Sequence, residues 1–432
     1  MDTNKVNIRI FDKDINLLGE IDNFTSFLYT RKWETFGEFE FYISFIDTEL
    51  IKKGNIIILN NDGSRSGVIE YIEIDEDNSQ KIKIRGFSLL YWLTNRITIP
   101  PQGYAYHNFN TNVENIMIDL IETNAINPID INRKIPNLTI EASKGRGEKI
   151  QFQTRYKNLS DELTKLSKLS GLGITIDLDY KQKKFVFKVL EGKNLSYGQA
   201  NNPPYIFSLD YDNIKKQNYI ESDIGYKNVG YVAGQGEGSD RAIEILGNER
   251  SGFDRREVFI DARDIDENGS LTDRGRVKLS ELQQIQSFEC EVDTKDYKVI
   301  WNLGDIITTI DKKRGLRADN RISEIREVYE NSGIKVEPTF GTPIPGLADK
   351  IKQMTDTPTE SGSLSGGGDK SYEFNQLSPK KIWNIPHGLN KRPSVTIVDS
   401  GGTEVKGDVK YDDNNNATIS FTAAFAGIAY LN

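Results

Sequence analysis

Gly54-Asn55-Ile56-Ile57-Ile58, then Val68-Ile69-Glu70-Tyr71-Ile72, then Lys81-Ile82-Lys83-Ile84 reads as three strands joined by a charged turn and an acidic turn. The run Asn55-Ile56-Ile57-Ile58-Leu59 is continuously apolar after Gly54, the pattern of a strand covered on both faces. Lys81–Arg85 alternates charged and apolar residues, as a half-buried strand does. The same grammar returns in Gly304-Asp305-Ile306-Ile307-Thr308, Arg321-Ile322-Ser323-Glu324-Ile325 and Ile334-Lys335-Val336. Chance likeness of two β meanders and internal duplication of one module both account for this; duplication is the sharper reading. Two modules per chain would give a trimer six similar modules in a ring.

Around these meanders the chain divides into five expected parts. Residues 1–98 are a β module; Gly37-Glu38-Phe39-Glu40-Phe41-Tyr42-Ile43 alternates with period two, and Asn61-Asp62-Gly63 signals a turn. Residues 99–205 are an α+β insert. Asn110-Thr111 can cap a helix carrying Val113, Ile116, Met117, Leu120 and Ile121 on one face. A second helix opens near Asn158 or Ser160, carries Leu159, Leu163, Leu166 and Leu169, and stops at Gly171. Ile174–Leu178 and Phe185–Val189 then suit a hairpin. Residues 206–346 return to β, interrupted by a helix around Asp273–Gln286. Residues 347–370 form a linker, because Thr355–Asp369 has too little apolar surface to order itself. Residues 371–432 make a small β-sandwich. The expected class is mainly β with an α+β insert.

Composition narrows the function. At 28% charged and 37% hydrophobic, 432 residues suit a soluble globular protein of roughly two to four domains. The net charge of −9 disfavours a duplex-binding surface, which needs basic excess, yet it suits a channel through which DNA slides without sticking. No specific nucleic-acid contact is expected. The single cysteine, Cys290, excludes an intramolecular disulfide framework and a Cys-rich zinc site, and is expected as a small buried residue. Met1-Asp2-Thr3-Asn4-Lys5-Val6 shows no secretory signal, and no apolar stretch approaches the ~20 residues of a membrane span. Folding in the cytosol is expected.

Chemical motifs are sparse. The two histidines, His107 and His387, are far apart, and His387 sits in a Pro-His-Gly turn where a structural role is favoured. Gly234-Gln235-Gly236-Glu237-Gly238 lacks the Lys-Ser/Thr of a phosphate loop and carries a repelling Glu237. Asp293, Asp296 and Asp305 do not match a calcium loop. Arg255-Arg256-Glu257 and Arg263-Asp264 suit ion pairs. No catalytic, cofactor-binding or metal-ligating residue is assigned. In the terminal part, Trp383, His387 and Tyr411 are the candidate ligand contacts. Trp383, Tyr411 and Phe421 can stack on a sugar ring, and core packing explains them equally well.

Several stretches resemble the phage tail hub family, the tail-associated, baseplate-hub-like proteins of long-tailed phages and related particles. Trp33-Glu34-Thr35-Phe36-Gly37-Glu38-Phe39-Glu40-Phe41 is similar to their opening strand motif. Arg85-Gly86-Phe87-Ser88-Leu89-Leu90-Tyr91-Trp92-Leu93-Thr94-Asn95-Arg96 is similar to the segment closing their first module. Lys227–Gly234, Ser251–Glu257 and Asp261–Ile265 carry the most distinctive likeness. Trp383–Val395, Val398–Gly402, Ile419–Phe421 and Gly427–Leu431 resemble a small module appended to many tail-tip and fibre proteins. The resemblance implies tandem tail-tube-like β-barrel modules in a homotrimer at the virion tail tip, assembled in the host cytoplasm. It implies a hub that adapts a sixfold tube to a threefold tip and forms part of the genome ejection channel. Implied partners are the tail tube or distal tail ring, tip, spike or fibre proteins and the tape measure protein; a host cell-surface carbohydrate is the partner only if the terminal unit works in attachment. Many hub relatives carry a peptidoglycan-degrading domain after the hub; here only the short β unit follows. A carbohydrate-binding attachment protein and a cell-wall hydrolase working through residues 100–205 are the alternatives, and no acid–base constellation favours the second.

Overall fold

A computed structural model describes residues 6–44, 50–74, 82–266, 269–330, 333–342, 372–399 and 405–431, in two units, Met1–Met354 and Thr355–Asn432. The tether expected at Thr355–Asp369, and the whole of residues 347–370, lie outside the described residues.

The first unit begins with β1 (Ile8–Phe11), β2 (Leu17–Ile21), β3 (Ser26–Lys32), β4 (Glu38–Ile43), β5 (Ile56–Leu59), β6 (Ser66–Ile74) and β7 (Ile82–Ser88). They pair antiparallel in the order β3-β4-β7-β6-β5-β1-β2. Alternation in β4 turns Phe39 and Phe41 inward and leaves Glu38 in water. β5 is buried at every position because both its faces are covered. Ile57 and Leu59 pack with Phe27, Phe39 and Phe41, while Ile56 and Ile58 face a second core.

That second core is filled by the insert: β8 (His107–Asn112), α1 (Val113–Ile121), β9 (Leu138–Ile140), β10 (Lys149–Thr154), α2 (Leu159–Ser170), β11 (Gly173–Asp179) and β12 (Lys184–Leu190). Ile116, Met117 and Leu120 of α1 and Leu159, Leu163 and Leu166 of α2 are fully buried in it, beside Phe11 and Val68 of the first module. The insert therefore shares its core with that module. Asn112 caps α1, accepting from the Asn115 N–H at 2.9 Å. Asn110 and Thr111, the expected caps, are instead taken up by β8, which pairs with β10. Asn158 caps α2, and Gly171 ends it at φ +72°. β11 and β12 form the expected hairpin.

The second module comprises β13 (Ile206–Ser208), β14 (Ile214–Ser222), a lobe of β15 (Val229–Ala233), β16 (Ile243–Leu246), β17 (Glu257–Asp261) and α3 (Leu271–Glu281), then β18 (Ile285–Val292), β19 (Ile306–Asp311), β20 (Leu316–Glu330) and β21 (Gly333–Gly341). α3 stops short of the expected Gln286. Ile285–Val292 alternates instead, and pairs with β14 and β21 on either side.

The two meanders are equivalent residue by residue. Gly54 and Gly304 both take left-handed φ, +88° and +90°. Their N–H groups donate to the carbonyls of Ile69 and Ile322, both at 2.8 Å. The Ile69 and Ile322 N–H groups return to the carbonyls of Asn55 and Asp305 at 2.9 and 2.8 Å. Both strands then carry a bulge, between Ile69 and Tyr71 and between Ile322 and Glu324. The neighbour order β3-β4-β7-β6-β5 recurs as β14-β18-β21-β20-β19. The copies differ at the next strand: β1 runs antiparallel to β5, whereas β13 runs parallel to β19. The second half of β20, Glu324–Glu330, pairs antiparallel with β3 and joins both modules into one sheet.

In the second unit β22 (Tyr372–Pro386), β23 (Val395–Asp399), β24 (Asp408–Tyr411) and β25 (Asn416–Leu431) pair antiparallel. One half of β25 lies between β22 and β24, the other between β22 and β23, and register shifts in β22 separate the halves. Trp383, Ile385, Ile397, Ile419, Ala429 and Leu431 from both halves share one buried core. The fold as a whole is mainly β.

Candidate functional site

Where the modules meet, the core turns polar. Tyr29 of β3 lies opposite Glu327 of β20, and Glu327 is fully buried. Its carboxylate accepts from the Tyr297 hydroxyl at 2.5 Å and from the Tyr329 hydroxyl, and lies 3.1 Å from Arg65 Nη2. Arg31 donates to the Tyr297 hydroxyl at 3.2 Å and to Asn302 Oδ1 at 3.0 Å. Lys298 Nζ reaches Asp62 Oδ2 at 2.5 Å. Burial by itself would raise Asp62, but Lys298, Ser64 and Arg65 outweigh it and hold the carboxyl well below the usual range. Burial, then repulsion from Arg31 and Arg65, brings Lys298 down to about 8. Burial and the Glu327 charge push the Tyr297 and Tyr329 hydroxyls up. A paired, hydrogen-bonded charge cluster of this kind locks one geometry between packed parts. The sequence carried one signal of it, a carboxylate at an inward position of the alternation Ile325, Glu327, Tyr329.

Among the described residues no group of three or more His, Cys, Asp and Glu is placed to hold a metal. His107 lies within 3.3 Å of Asp119 Oδ1, and its burial lowers its pKa. Cys290 is buried, which raises its thiol pKa. A cleft of about 330 Å³ between β8, β10 and the start of α3 is lined by Asn108, Asn110, Gln151, Gln153 and Arg274. Its Arg274 is engaged by Asp264 at 2.7 Å, and Gln153 Nε2 donates to the same carboxylate at 2.8 Å. The Gln153 contact ties the lobe to the insert.

The three candidate ligand contacts are bound into the terminal unit. Trp383 is fully buried against Phe374, Phe421 and Phe425, and its Nε1 donates to the Lys380 carbonyl at 3.2 Å. No face of that indole is open to a sugar. His387 is buried, and its Nδ1 accepts from the Leu389 N–H at 3.2 Å. The half-buried Tyr411 donates its hydroxyl to the Pro393 carbonyl.

Among the open strand edges of the first unit, two in the large sheet stand at positions that the other module has covered. β14 is paired only by β18, and Glu70–Ile74 of β6 is paired only by β7, among the described residues. Both edges carry apolar side chains, among them Tyr71 at 45% and Ile74 at 56% exposure.

This fold, two equivalent β modules in one sheet with helical elements between them, is similar to that of phage tail proteins of known structure. Similar structures are the 43 kDa tail protein of prophage MuSo2 from Shewanella oneidensis (16% identity, TM-score 0.51, 78% of this chain and 98% of that one), the tail protein from Neisseria meningitidis MC58 (14%, 0.50, 78% and 96%), and prophage tail protein gp18 from Listeria monocytogenes EGD-e (14%, 0.50, 81% and 99%). At these identities the likeness is one of fold. Residues 7–342 match the model of the Siphovirus ReqiPepy6 Gp37-like protein family, and the chain belongs to that family. It is a phage tail protein of the siphovirus type, with its place in the virion tail. No curated protein matches the chain in sequence.

Proposed function

We propose that this protein is the structural hub of the tail tip, a homotrimeric ring joining the sixfold tail tube to a threefold tip and lining part of the genome ejection channel. The observation that carries this reading is the residue-level equivalence of the meanders at Gly54–Ile72 and Gly304–Ile325. A chain with two equivalent modules presents six of them when three copies close a ring, which matches a sixfold neighbour on one side and a threefold one on the other. The net charge of −9 suits a passage that DNA traverses without adhering. Its partners in this reading are the distal tail ring or tube, the tape measure protein, and spike or fibre proteins of the tip. The terminal unit then engages a further tip protein or the host surface carbohydrate. In this reading the protein acts without turnover, and host cell walls incubated with it should release neither sugars nor peptides. Reconstruction of the particle tests the hub reading. Three copies in a ring at the tip are expected; six copies, or one on the axis, would overturn it.

A further inference from the structure

The joint inside one chain predicts the joint between chains. Shared pairing partners set the equivalence of strands in the two modules. Ile69 and Ile322 pair with Gly86 and Phe340, these pair with Phe39 and Phe288, and those in turn pair with Tyr29 and Tyr219. β14 is therefore the second module's β3, and Glu70–Ile74 is the first module's counterpart of the stretch of β20 that pairs with β3. Within the chain, β3 of the first module is covered by β20 of the second, in the register Lys32↔Glu324, Arg31↔Ile325, Thr30↔Arg326 and Tyr29↔Glu327. The reciprocal edges, β14 and Glu70–Ile74, have no strand on that side among the described residues.

We propose that these edges pair with each other between neighbouring copies, antiparallel, in the register Ser222↔Tyr71, Glu221↔Ile72, Ile220↔Glu73 and Tyr219↔Ile74. The inference rests on the ring reading above and names its contact.

Burial supports it independently. Ile325, at the covered edge, is fully buried, whereas its equivalent Ile72 is half-buried. Glu327 is fully buried, whereas its equivalent Ile74 is 56% exposed. Tyr29 is 1% exposed, whereas its equivalent Tyr219 is only half-buried. An apolar side chain exposed at the position where a carboxylate is buried in the sister module is costly unless something covers it. The proposed register sets Ile74 against Tyr219. Natural sheets blunt exposed edges with lysines and bulges. In β14 these, Lys215, Lys216 and the bulge after Ile214, lie at its start. The stretch Tyr219–Ser222 used in the proposed register carries neither, which leaves it a template for strand addition. The joint is head to tail, with different surfaces on the two partners, so successive copies add in one direction and close into a ring.

Cysteines read the register in assembled particles. Directly opposed residues have Cα atoms about 4.5–5.5 Å apart, within disulfide reach, while diagonal neighbours fall beyond it at roughly 7–8 Å. Glu73→Cys with Ile220→Cys, and separately Tyr71→Cys with Ser222→Cys, should oxidise to covalently joined chains. The yield should be at least about tenfold above the single variants and the diagonal pair Glu73→Cys with Ser222→Cys. The second pair covers the case in which one substitution impairs assembly. Absence of cross-links in both pairs, in particles whose reconstruction has three copies in a ring, overturns the joint while leaving the hub standing. So does a stronger diagonal link. A reconstruction without that ring removes the hub reading itself.

Discussion

Arg65 Nη2 lies 3.1 Å from Glu327 Oε2, so the first module closes on a carboxylate that the second module carries into the shared core. The carboxylate is fully buried, and Tyr297 and Tyr329 complete its shell. Removing one member of such a group leaves an uncompensated buried charge, at a cost of about 3–5 kcal/mol. Glu327→Ala should therefore lower the urea midpoint of the Met1–Met354 unit by a corresponding amount. Glu327→Gln, which keeps the shape, should cost less. A loss under about 1 kcal/mol for the alanine variant would show that the junction does not depend on this charge.

Lys298 gives the junction a pH signature. Its pKa falls from 10.5 to about 8, chiefly through burial. The folded protein thus releases this proton first, and between about pH 8 and 10.5 the unfolded chain holds more protons. The group's contribution to stability is flat below that window and rises with pH through it. The raised hydroxyls of Tyr29, Tyr297 and Tyr329 act in the opposite direction at higher pH. Comparison with Lys298→Met largely removes their effect, because both proteins contain them. Wild type should gain stability relative to that variant as pH is raised from 8 towards 10. A difference that stays flat in urea titrations across this range sinks the idea.

Equivalent glycines should differ in cost. Gly54 and Gly304 share their left-handed φ, so either alanine substitution strains the backbone by about 1–2 kcal/mol. A Cβ on Gly54 meets only the far end of Lys13, 2.7 Å away, whereas one on Gly304 falls 2.0 Å from the Trp33 ring. Trp33 cannot retreat, because Gly173 lies against the same indole. Gly304→Ala should accordingly cost a further ~1–3 kcal/mol over Gly54→Ala. Denaturation midpoints measure the gap, and equal losses would contradict the clash.

The terminal unit should fail by itself. Trp383→Ala deletes the largest buried side chain of its core, at about 3–5 kcal/mol, which a unit of this size cannot absorb. Its transition should disappear from calorimetry while that of Met1–Met354 persists. Ending the chain after Gly346 should leave the tail ring assembled and reduce adsorption or tip completion. Truncated particles that are complete and adsorb normally would deprive the unit of both roles.

Local signals in the sequence were sufficient for the elements. The Gly-polar-Ile-Ile opening and the isoleucine that follows its turn located both meanders, because a left-handed glycine and a two-residue period are set by neighbouring residues alone. The leucine stripe of α2 and its stop at Gly171 are equally local. Helix ends were less legible: Asn110 and Thr111 could have capped α1, but pairing with β10 claimed them, and Ile285 left the helical pattern because β14 and β21 flank it.

Tertiary structure alone decided which edges meet. Tyr29 and Glu327 are opposed because β3 pairs with the end of β20, a contact between strands some 300 residues apart that no local pattern singles out from the equivalent edges of β14 and β6. The same holds for the charges: nothing near Glu327 in sequence announces Arg65, and nothing near Lys298 announces Asp62. Trp383 makes the point from the other side. Its sequence context allowed a surface platform or a core, and the folding of β22 and β25 around it chose the core, since a small unit needs its largest apolar group inside.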